Sequence, residues 1–253
     1  MANIVVVAPH DDDAILGAGG SIVRHLNHGD EVSVVVCTTG HSSHMAVLGI
    51  TENPSPDEVA RVRKQEMLAA MLYLDVPVGN LYFLEIPTRE VSDRLKEVEL
   101  KLRKLFAEVE PDIVYFSYPD AHSDHKGVNA AVKNILADTP TVVGRQFVIW
   151  TKELAAGRPE MNPNDIPEIP ENAMVVNLSE QARFQKCSAI YEMKSQVSTR
   201  PYPGWQIQDR AILGPTFIRH FLRGQEIFVP YNEIPRTKEK VLSDGTLLER
   251  AFA

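Results

Sequence analysis

The sequence predicts an α/β fold in which helices cover both faces of a doubly wound, mostly parallel sheet. Continuous apolar and β-branched runs, such as residues 3–8 and 31–37, are typical of strands that are buried on both faces. Amphipathic helical patterns alternate with these runs through the first 150 residues. Such alternation is typical of parallel, Rossmann-like sheets.

Five strands are predicted in this part of the chain: residues 3–8, 31–37, 80–85, 112–117 and 146–150. The first helical pattern spans residues 15–26 and ends at Gly29. The next helix is predicted to begin after Ser55 and to reach about Tyr73. Ser55 is the expected N-cap, and Glu58 is expected to complete a capping box.

The remaining predicted elements are a strand at 174–178 and helices at 91–109, 128–136 and 179–196. Irregular loop elaborations are expected at about 157–172, which holds four prolines, and at 199–215. Long loops of this kind are often lids or contacts between subunits. With no internal repeat, residues 1–253 are expected to form a single α/β domain.

The composition excludes several classes of protein. Of 253 residues, 44% are hydrophobic and 24% are charged, which is typical of a globular chain and not of a disordered one. The net charge of −8 argues against nucleic acid or an anionic membrane surface as the main partner. Two cysteines are too few for a disulfide scaffold. Because neither a targeting signal nor a membrane-spanning stretch is recognised, a cytoplasmic location without membrane insertion is expected.

Titratable side chains follow two of the predicted strands. Residues 9–13 are Pro-His-Asp-Asp-Asp, and residues 118–125 hold two histidines and two aspartates. Ligands of open α/β sheets bind beyond the carboxyl ends of the strands. Imidazole and carboxylate ligands without a thiolate favour a catalytic zinc site with an open position. The alternative is an acidic turn that only caps a helix.

The order of these motifs resembles that of a known enzyme family. Residues 10–13 followed by Gly-Ala-Gly-Gly at 17–20 resemble the His-Pro-Asp-Asp…Gly-x-Gly-Gly opening of the PIG-L-like (LmbE) zinc de-N-acetylases. Residues 122–125, His-Ser-Asp-His, are similar to the family's His-x-Asp-His motif. Weaker matches are Thr39-Gly40, Arg63-x-x-Glu66, Lys186, Ala189 and Ser195-Gln196. The resemblance covers residues 3–228, although Met193 stands where relatives often carry a histidine.

The resemblance implies three zinc ligands: His10, Asp13 and His125. It also implies that Asp12 is the general base that takes a proton from the water activated by zinc. His122 would stabilise the oxyanion or protonate the leaving amine, and Asp124 would orient His122. A cationic His122 would offset charge on the tetrahedral intermediate. Arg63 corresponds to a residue that contacts substrate in relatives.

One position departs from the family pattern, since Asp11 stands where relatives carry proline. Asp11 is expected to point away from the metal, with helix capping as one role for its side chain. The departure leaves two candidate pairs of working carboxylates, Asp11-Asp12 and Asp12-Asp13. The spacing from His10 and to Gly17 favours the second pair.

Other features near the predicted site have two interpretations each. The glycines at 17–20 lack the spacing of a dinucleotide-binding loop, so close packing of helix against strand is the favoured explanation. Arg63 could instead form an ordinary surface ion pair with Glu66. His41 and His44 are more often solvated or substrate-facing than ligands. The aromatic pair Tyr202 and Trp205 could stack on a sugar ring or anchor its loop.

The leading functional hypothesis is a zinc-dependent hydrolase that removes acetyl from an N-acetylated amino sugar of the N-acetylglucosamine type, or from its conjugate. The expected partner is thus a small molecule, and relatives suggest a homo-oligomer. Two alternatives from other classes are a non-catalytic, receiver-like switch that binds magnesium and a nucleotide-binding α/β module. Histidines at both strand ends argue against magnesium, because imidazole suits zinc better.

Overall fold

The computed structural model describes residues 1–156 and 162–232. Its centre is one seven-stranded sheet with the strand order β3-β2-β1-β4-β5-β7-β6. The strands are β1 (Asn3–Ala8), β2 (Glu31–Thr38), β3 (Leu81–Ile86), β4 (Ile113–Ser117), β5 (Val143–Phe147), β6 (Met174–Asn177) and β7 (Gln225–Pro230). The first five strands are parallel, whereas β7 pairs antiparallel with both β5 and β6. The predicted mostly parallel sheet is thus confirmed.

Helices cover both faces of this sheet, as predicted. They are α1 (Asp11–His28), α2 (Ser43–Leu48), α3 (Pro56–Tyr73), α4 (Leu95–Val109), α5 (Ser123–Ala137), α6 (Lys152–Ala155), α7 (Glu180–Glu192), α8 (Lys194–Val197) and α9 (Pro215–Phe221). One core contains apolar residues of α1, α3, α7 and α9, and a second contains those of α4 and α5. Alternate residues of β1 enter opposite cores, with Val6 in the first and Val7 in the second. No helix in the described ranges has both the length and the apolar character that crossing a membrane requires.

Several element boundaries differ from the predictions for local reasons. Helix α5 begins at Ser123 and not at 128, because the His122 side chain caps it and its first turn is polar. Strand β5 lies at Val143–Phe147, earlier than the predicted 146–150, and so includes Gly144. Helix α4 starts at Leu95 and not at 91, since a turn precedes it. The predicted helix at 179–196 is interrupted at Met193. Strand β7 was not predicted.

The structure describes one of the two predicted loop elaborations in full and the other in part. Residues 199–215 are irregular up to the start of α9. Residues 162–172 are irregular as well, apart from a single 3-10 turn at Pro163–Asp165. The rest of the predicted segment, 157–161, lies outside the described residues.

Two glycines of α1 allow the helix to approach the sheet closely. A Cβ atom at Gly17 would lie 2.5 Å from the Phe147 ring, and one at Gly20 would lie 2.4 Å from the Leu178 side chain. Both distances are shorter than any real carbon contact, so only glycine fits without displacing these neighbours. Close packing is therefore the reason for the glycine motif.

The carboxylate of Glu226 in β7 ties the C-terminal strands to α1. It accepts hydrogen bonds from the amides of Gly20 at 2.7 Å and Ser21 at 2.9 Å. The Lys186 ammonium of α7 lies 2.7 Å from the same carboxylate, and both charged side chains are almost fully buried. The buried pair of Lys186 and Glu226, together with these hydrogen bonds, thus joins α1, α7 and β7 at one point.

Candidate active site

The carboxyl ends of β1 and β4 are neighbours because the chain adds β2 and β3 on one side of β1 and β4 on the other. A cavity of about 460 Å³ lies at this point of the sheet, which is where open α/β sheets usually bind ligands. The predicted site residues that line it are His10, Asp12, Asp13, Arg63, His122 and His125. Asp124 lies behind them and is fully buried. The fold therefore brings the two sequence motifs together.

Three potential ligand atoms form a compact triangle. His10 Nδ1 lies 3.0 Å from Asp13 Oδ2 and 3.3 Å from His125 Nε2. The third side, from His125 Nε2 to Asp13 Oδ2, is 3.2 Å. Two ligands at the usual distance from a tetrahedral zinc lie about 3.3 Å apart. The set of two nitrogens and one carboxylate oxygen therefore fits a zinc ion with a fourth position left open.

Carboxylates behind the triangle orient both imidazoles. The second nitrogen of His10, Nε2, lies 3.2 Å from Asp124 Oδ2, and His125 Nδ1 lies 2.7 Å from Asp120 Oδ2. Such partners fix the ring orientation and tautomer of metal-binding histidines. The role of Asp120 was not anticipated from sequence, although it stands five residues before His125, in the loop that leads into α5. Asp124 was expected to orient His122; its amide donates to His122 Nδ1 at 3.2 Å, whereas its carboxylate lies closer to His10, at 3.2 Å, than to His122, at 3.9 Å.

Two further groups of candidate ligands are present in the same cluster. His10, His122 and His125 could share an ion, and so could His10, Asp12 and Asp13. In the triangle of His10, Asp13 and His125, each imidazole has a carboxylate behind it. His122 has no such arrangement, because its Nδ1 accepts a hydrogen bond from the Asp124 amide at 3.2 Å. The triangle is therefore the set that best fits a metal centre.

The charges of the triangle compensate one another. Burial alone would lower the pKa of His10, but the hydrogen bonds to Asp124 and Asp13 raise it to about 9. Burial also opposes the charged form of His125, and Asp120 and Asp13 nonetheless raise its pKa well above the usual value. Burial would raise the pKa of Asp13, yet His125 and His10 hold it well below the usual value. The pocket thus favours the ionised carboxylate of Asp13 and the positively charged forms of His10 and His125.

Asp12 is the buried carboxylate that none of these contacts satisfies. Its Oδ1 has no hydrogen-bond partner, and the nearest cation is Arg63 Nη2 at 3.4 Å. Burial raises the pKa of Asp12 to about 6, against the opposing effect of Arg63. Asp12 also lines the cavity, so its carboxylate is a candidate to accept a proton from a bound molecule, whereas Oδ1 itself is shielded from solvent and faces Arg63.

His122 differs from the cationic residue that was expected. Burial, followed by the nearby His10 and His125, lowers its pKa to about 2, so the imidazole is neutral in these surroundings. Its Nδ1 accepts the amide hydrogen of Asp124. The proton of the neutral ring therefore resides on Nε2, which makes that nitrogen a hydrogen-bond donor.

Asp11, at the position of the family's proline, pairs with Arg63 and does not cap α1. The two Asp11 oxygens accept hydrogen bonds from Arg63 Nε, at 3.0 Å, and from Arg63 Nη2. Arg63 Nη1 donates to the Gly40 carbonyl at 3.4 Å, and both members of the ion pair are buried. The expectation that Asp11 points away from the metal triangle agrees with this contact. The hypothesis of a surface pair between Arg63 and Glu66 is wrong, because Arg63 is directed to Asp11.

Glu66 and Glu58 instead fix the loop at 199–215. The Glu66 carboxylate accepts hydrogen bonds from Ser195, amide and hydroxyl both at 2.6 Å, and from the Tyr202 hydroxyl at 2.8 Å. Trp205 Nε1 donates to Glu58 at 2.9 Å. The Glu58 side chain thus supports the loop. Its backbone amide donates to Ser55 Oγ, and this is the N-cap hydrogen bond of α3. Both aromatic residues anchor their loop.

The two loop histidines are not part of the metal cluster found among the described residues. His44 is fully buried, with Nε2 3.0 Å from Gln208 Nε2 and its ring 5.3 Å from that of Trp205. Burial, with a smaller contribution from Arg63, lowers its pKa to about 4. His41 is half-buried, with Nδ1 2.9 Å from the Thr39 hydroxyl. His44 is therefore a packing residue, and not the solvated or substrate-facing residue that was expected.

The Asp11–Arg63 pair gives a first testable prediction. The substitution Asp11→Asn is expected to lower the free energy of unfolding by about 3 kcal/mol, because it leaves a buried guanidinium without its counter-charge. Glu85→Gln is the matched control, since it breaks the exposed pair between Glu85 and Lys64 of the same helix and should cost less than about 1 kcal/mol. Urea unfolding followed by circular dichroism measures both. Equal losses in the two variants would contradict the assignment.

A parallel sheet with a His/Asp cluster at its topological switch point defines a candidate metal-dependent enzyme. The family model described as PIG-L, GlcNAc-PI de-N-acetylase, matches residues 5–136, just over half of the chain. The chain belongs to this de-N-acetylase family. The family assignment made from the motifs is thus confirmed.

Two individual proteins similar to this chain are named as deacetylases and a third as a hydratase. A probable N-acetyl-alpha-D-glucosaminyl L-malate deacetylase 2 of Bacillus cereus is 24% identical over 173 residues, which cover 66% of this chain and 77% of the relative. The crystal structure of the A40926 pseudoaglycone deacetylase Dbv21 is similar, with a TM-score of 0.67, 18% identity, and 90% and 96% of the two chains covered. A 4-carboxy-2-hydroxymuconate hydratase of Pseudomonas putida, GalB, has a TM-score of 0.60 at 15% identity, with 96% and 100% covered. At such identities the structures show the shared fold alone.

Proposed function

We propose that this protein is a zinc-dependent hydrolase that removes the acetyl group from an N-acetylated amino sugar of the N-acetylglucosamine type, or from its conjugate. One observation carries the proposal. A triangle of ligand atoms with sides of 3.0 to 3.3 Å lies at a cavity that Asp12, a carboxylate outside the triangle, also lines. Metal-assisted hydrolysis requires this combination of a metal site and a nearby base.

His10, Asp13 and His125 would hold the zinc ion. When bound, zinc would polarise the acetyl carbonyl and lower the pKa of water. Asp124 and Asp120 keep the two imidazoles in the tautomers that present His10 Nδ1 and His125 Nε2 to the metal.

Asp12 would be the general base, because it lies beside a ligand without belonging to the triangle. Its carboxylate, which lines the cavity, can take a proton from the attacking water and keep it near the amide nitrogen. The Asp11–Arg63 pair restrains the position of the carboxylate, since Arg63 Nη2 lies 3.4 Å from Asp12 Oδ1. Asp11 and Arg63 therefore act as positioning residues in this proposal, whereas the substrate contact expected of Arg63 is limited by its hydrogen bonds to Asp11 and Gly40.

His122 would stabilise the oxygen that gains charge as water adds to the amide. A neutral imidazole whose Nδ1 is occupied by the Asp124 amide can donate from Nε2. His122 lines the same cavity as the three residues of the triangle, which supports this role. A histidine held in this tautomer needs no positive charge to act as a donor.

The substrate class follows from the family and from the named relatives. One relative is described as an N-acetyl-alpha-D-glucosaminyl L-malate deacetylase, and this supports an N-acetylglucosamine-type sugar with a substituent. A cavity of about 460 Å³ can take a sugar with an attached group. The cytoplasmic location and the homo-oligomeric state stay predictions from the sequence.

The test is acetate release from N-acetylglucosamine, its β1,4-linked dimer and its 1-O-conjugates, measured with the metal content of the same protein. We expect about one zinc per chain and release that stops on chelation and returns with zinc. Protein without zinc that releases no acetate after zinc is added would refute the proposal. Magnesium with a phosphorylated aspartate would favour the receiver-like alternative, which the imidazole ligands do not support.

A further inference from the structure

The turn after β3 carries an arginine whose backbone conformation is unusual. Arg89 has a φ of 75°, in the left-handed region that favours glycine. Asp124 holds this conformation, since its Oδ2 accepts the Arg89 amide at 2.7 Å and its Oδ1 accepts the Val91 amide at 3.4 Å. The same carboxylate contacts the candidate ligand His10. The turn is therefore fixed relative to the metal site, and strained residues held in this way are often functional.

The side chain of Arg89 lines the catalytic cavity and is exposed to solvent. The other arginine on the cavity wall, Arg63, is neutralised by Asp11. Within residues 1–156 and 162–232, no carboxylate lies within ion-pair distance of the Arg89 guanidinium. Arg89 is thus the arginine of this wall whose charge is left for a bound molecule.

A second polar group of the same turn is also unsatisfied. The hydroxyl of Thr88 is buried, has no hydrogen-bond partner and belongs to a residue that lines the cavity. Buried hydroxyl groups without a partner are uncommon in native proteins. Arg89 presents its guanidinium at the edge of the cavity, and the neighbouring Thr88 hydroxyl, shielded in this conformation, becomes a donor to the same edge when its side chain rotates.

We propose that Thr88 and Arg89 bind an oxyanion on the substrate, so that the preferred substrate is an N-acetyl amino sugar bearing a carboxylate or phosphate group. The guanidinium fork matches the oxygens of either group, and the threonine hydroxyl can donate to a further oxygen. This inference rests on the proposed deacetylase function and specifies the conjugate. Since Asp124 anchors both the turn and His10, it sets the distance from the anion to the scissile amide.

The test compares the zinc-loaded wild-type protein with Arg89→Gly on matched substrates. The substrates are N-acetylglucosamine 1-phosphate, a glycoside of N-acetylglucosamine with a carboxylate on its aglycone, and the uncharged methyl glycoside. We expect the ratio of kcat/KM for charged over uncharged substrate to fall about ten-fold in the variant, mostly through KM. The charged substrate with the higher kcat/KM shows whether the site prefers phosphate or carboxylate. Glycine suits the backbone at this position, so the melting temperature should stay or rise.

Two controls keep the result interpretable. Arg61→Ala removes an exposed arginine of α3 outside the cavity and should leave the ratio at its wild-type value. Thr88→Val replaces the hydroxyl by a methyl group of similar size and should lower the ratio several-fold. No preference for charged substrates in the wild type, or an equal loss on both kinds in Arg89→Gly, would overturn the inference.

Calorimetric binding of glucosamine 1-phosphate and methyl glucosaminide separates this inference from the proposed function. If no substrate loses acetate but the phosphate binds about ten-fold more weakly to Arg89→Gly, the deacetylase proposal fails and the anion site stands. If acetate is released but Arg89→Gly binds both sugars like the wild type, only the anion site fails.

Discussion

Asp12→Asn is expected to lower kcat for acetate release by about 1,000-fold while the protein keeps its zinc. Asparagine has nearly the same shape as aspartate, but it cannot take a proton from water. The metal triangle does not include Asp12, so its three sides should persist. Steady-state kinetics gives kcat, and elemental analysis of the same sample gives the zinc content.

A comparison with Asp13→Asn decides which neighbouring carboxylates form the working pair. If Asp12-Asp13 is the pair, Asp13→Asn should lose zinc, whereas Asp12→Asn should lose turnover alone. The register Asp11-Asp12 predicts instead that Asp12→Asn loses the metal. Wild-type kcat in Asp12→Asn would remove Asp12 from the mechanism in either register.

His10→Ala is expected to abolish stoichiometric zinc binding and to lower kcat/KM by more than about 1,000-fold. The reason is geometric, because His10 Nδ1 takes part in two sides of the triangle, 3.0 Å from Asp13 and 3.3 Å from His125. Asp120→Asn should have a smaller effect of about 10- to 100-fold on zinc affinity, since it removes only the support behind His125. Competition with a chromogenic chelator measures both affinities.

His28→Ala is the matched control for this series. His28 lies at the far end of the same helix with a side chain that is 54% exposed, so its loss should change neither zinc content nor activity. Retention of one tightly bound zinc by His10→Ala would contradict the assigned triangle. It would exclude both further groups as well, since each of them contains His10.

The sequence was sufficient to predict the elements that position the site. The β-branched run before His10 predicts a buried strand, and Ser55 with Pro56 marks the start of α3, as the structure confirms. These signals are local, since they depend on residues within a few positions of one another. Strand β7 was not predicted, and the structure places it antiparallel between β5 and β6.

The finer contacts of the site depend on residues far apart in the chain. Asp124 meets His10 across 114 positions, and Asp11 meets Arg63 across 52. Motifs identify such residues as important, but they do not say which nitrogen faces which carboxylate. For this reason Asp124 was assigned to His122, and Arg63 was expected to contact substrate or pair with Glu66. The burial that keeps His122 neutral is likewise a property of the assembled cavity.

The anchored loop at 199–215 has a consequence for the kinetics of binding. Tyr202 and Trp205 hold it to α3, and the Leu213 amide donates to the Gln196 carbonyl at 2.8 Å, so the wall that includes Leu213 is in place before a ligand arrives. Association would then lose little backbone entropy in this loop. On this side of the cavity, diffusion and desolvation would limit the rate of capture, since the loop at 199–215 would need no closing step.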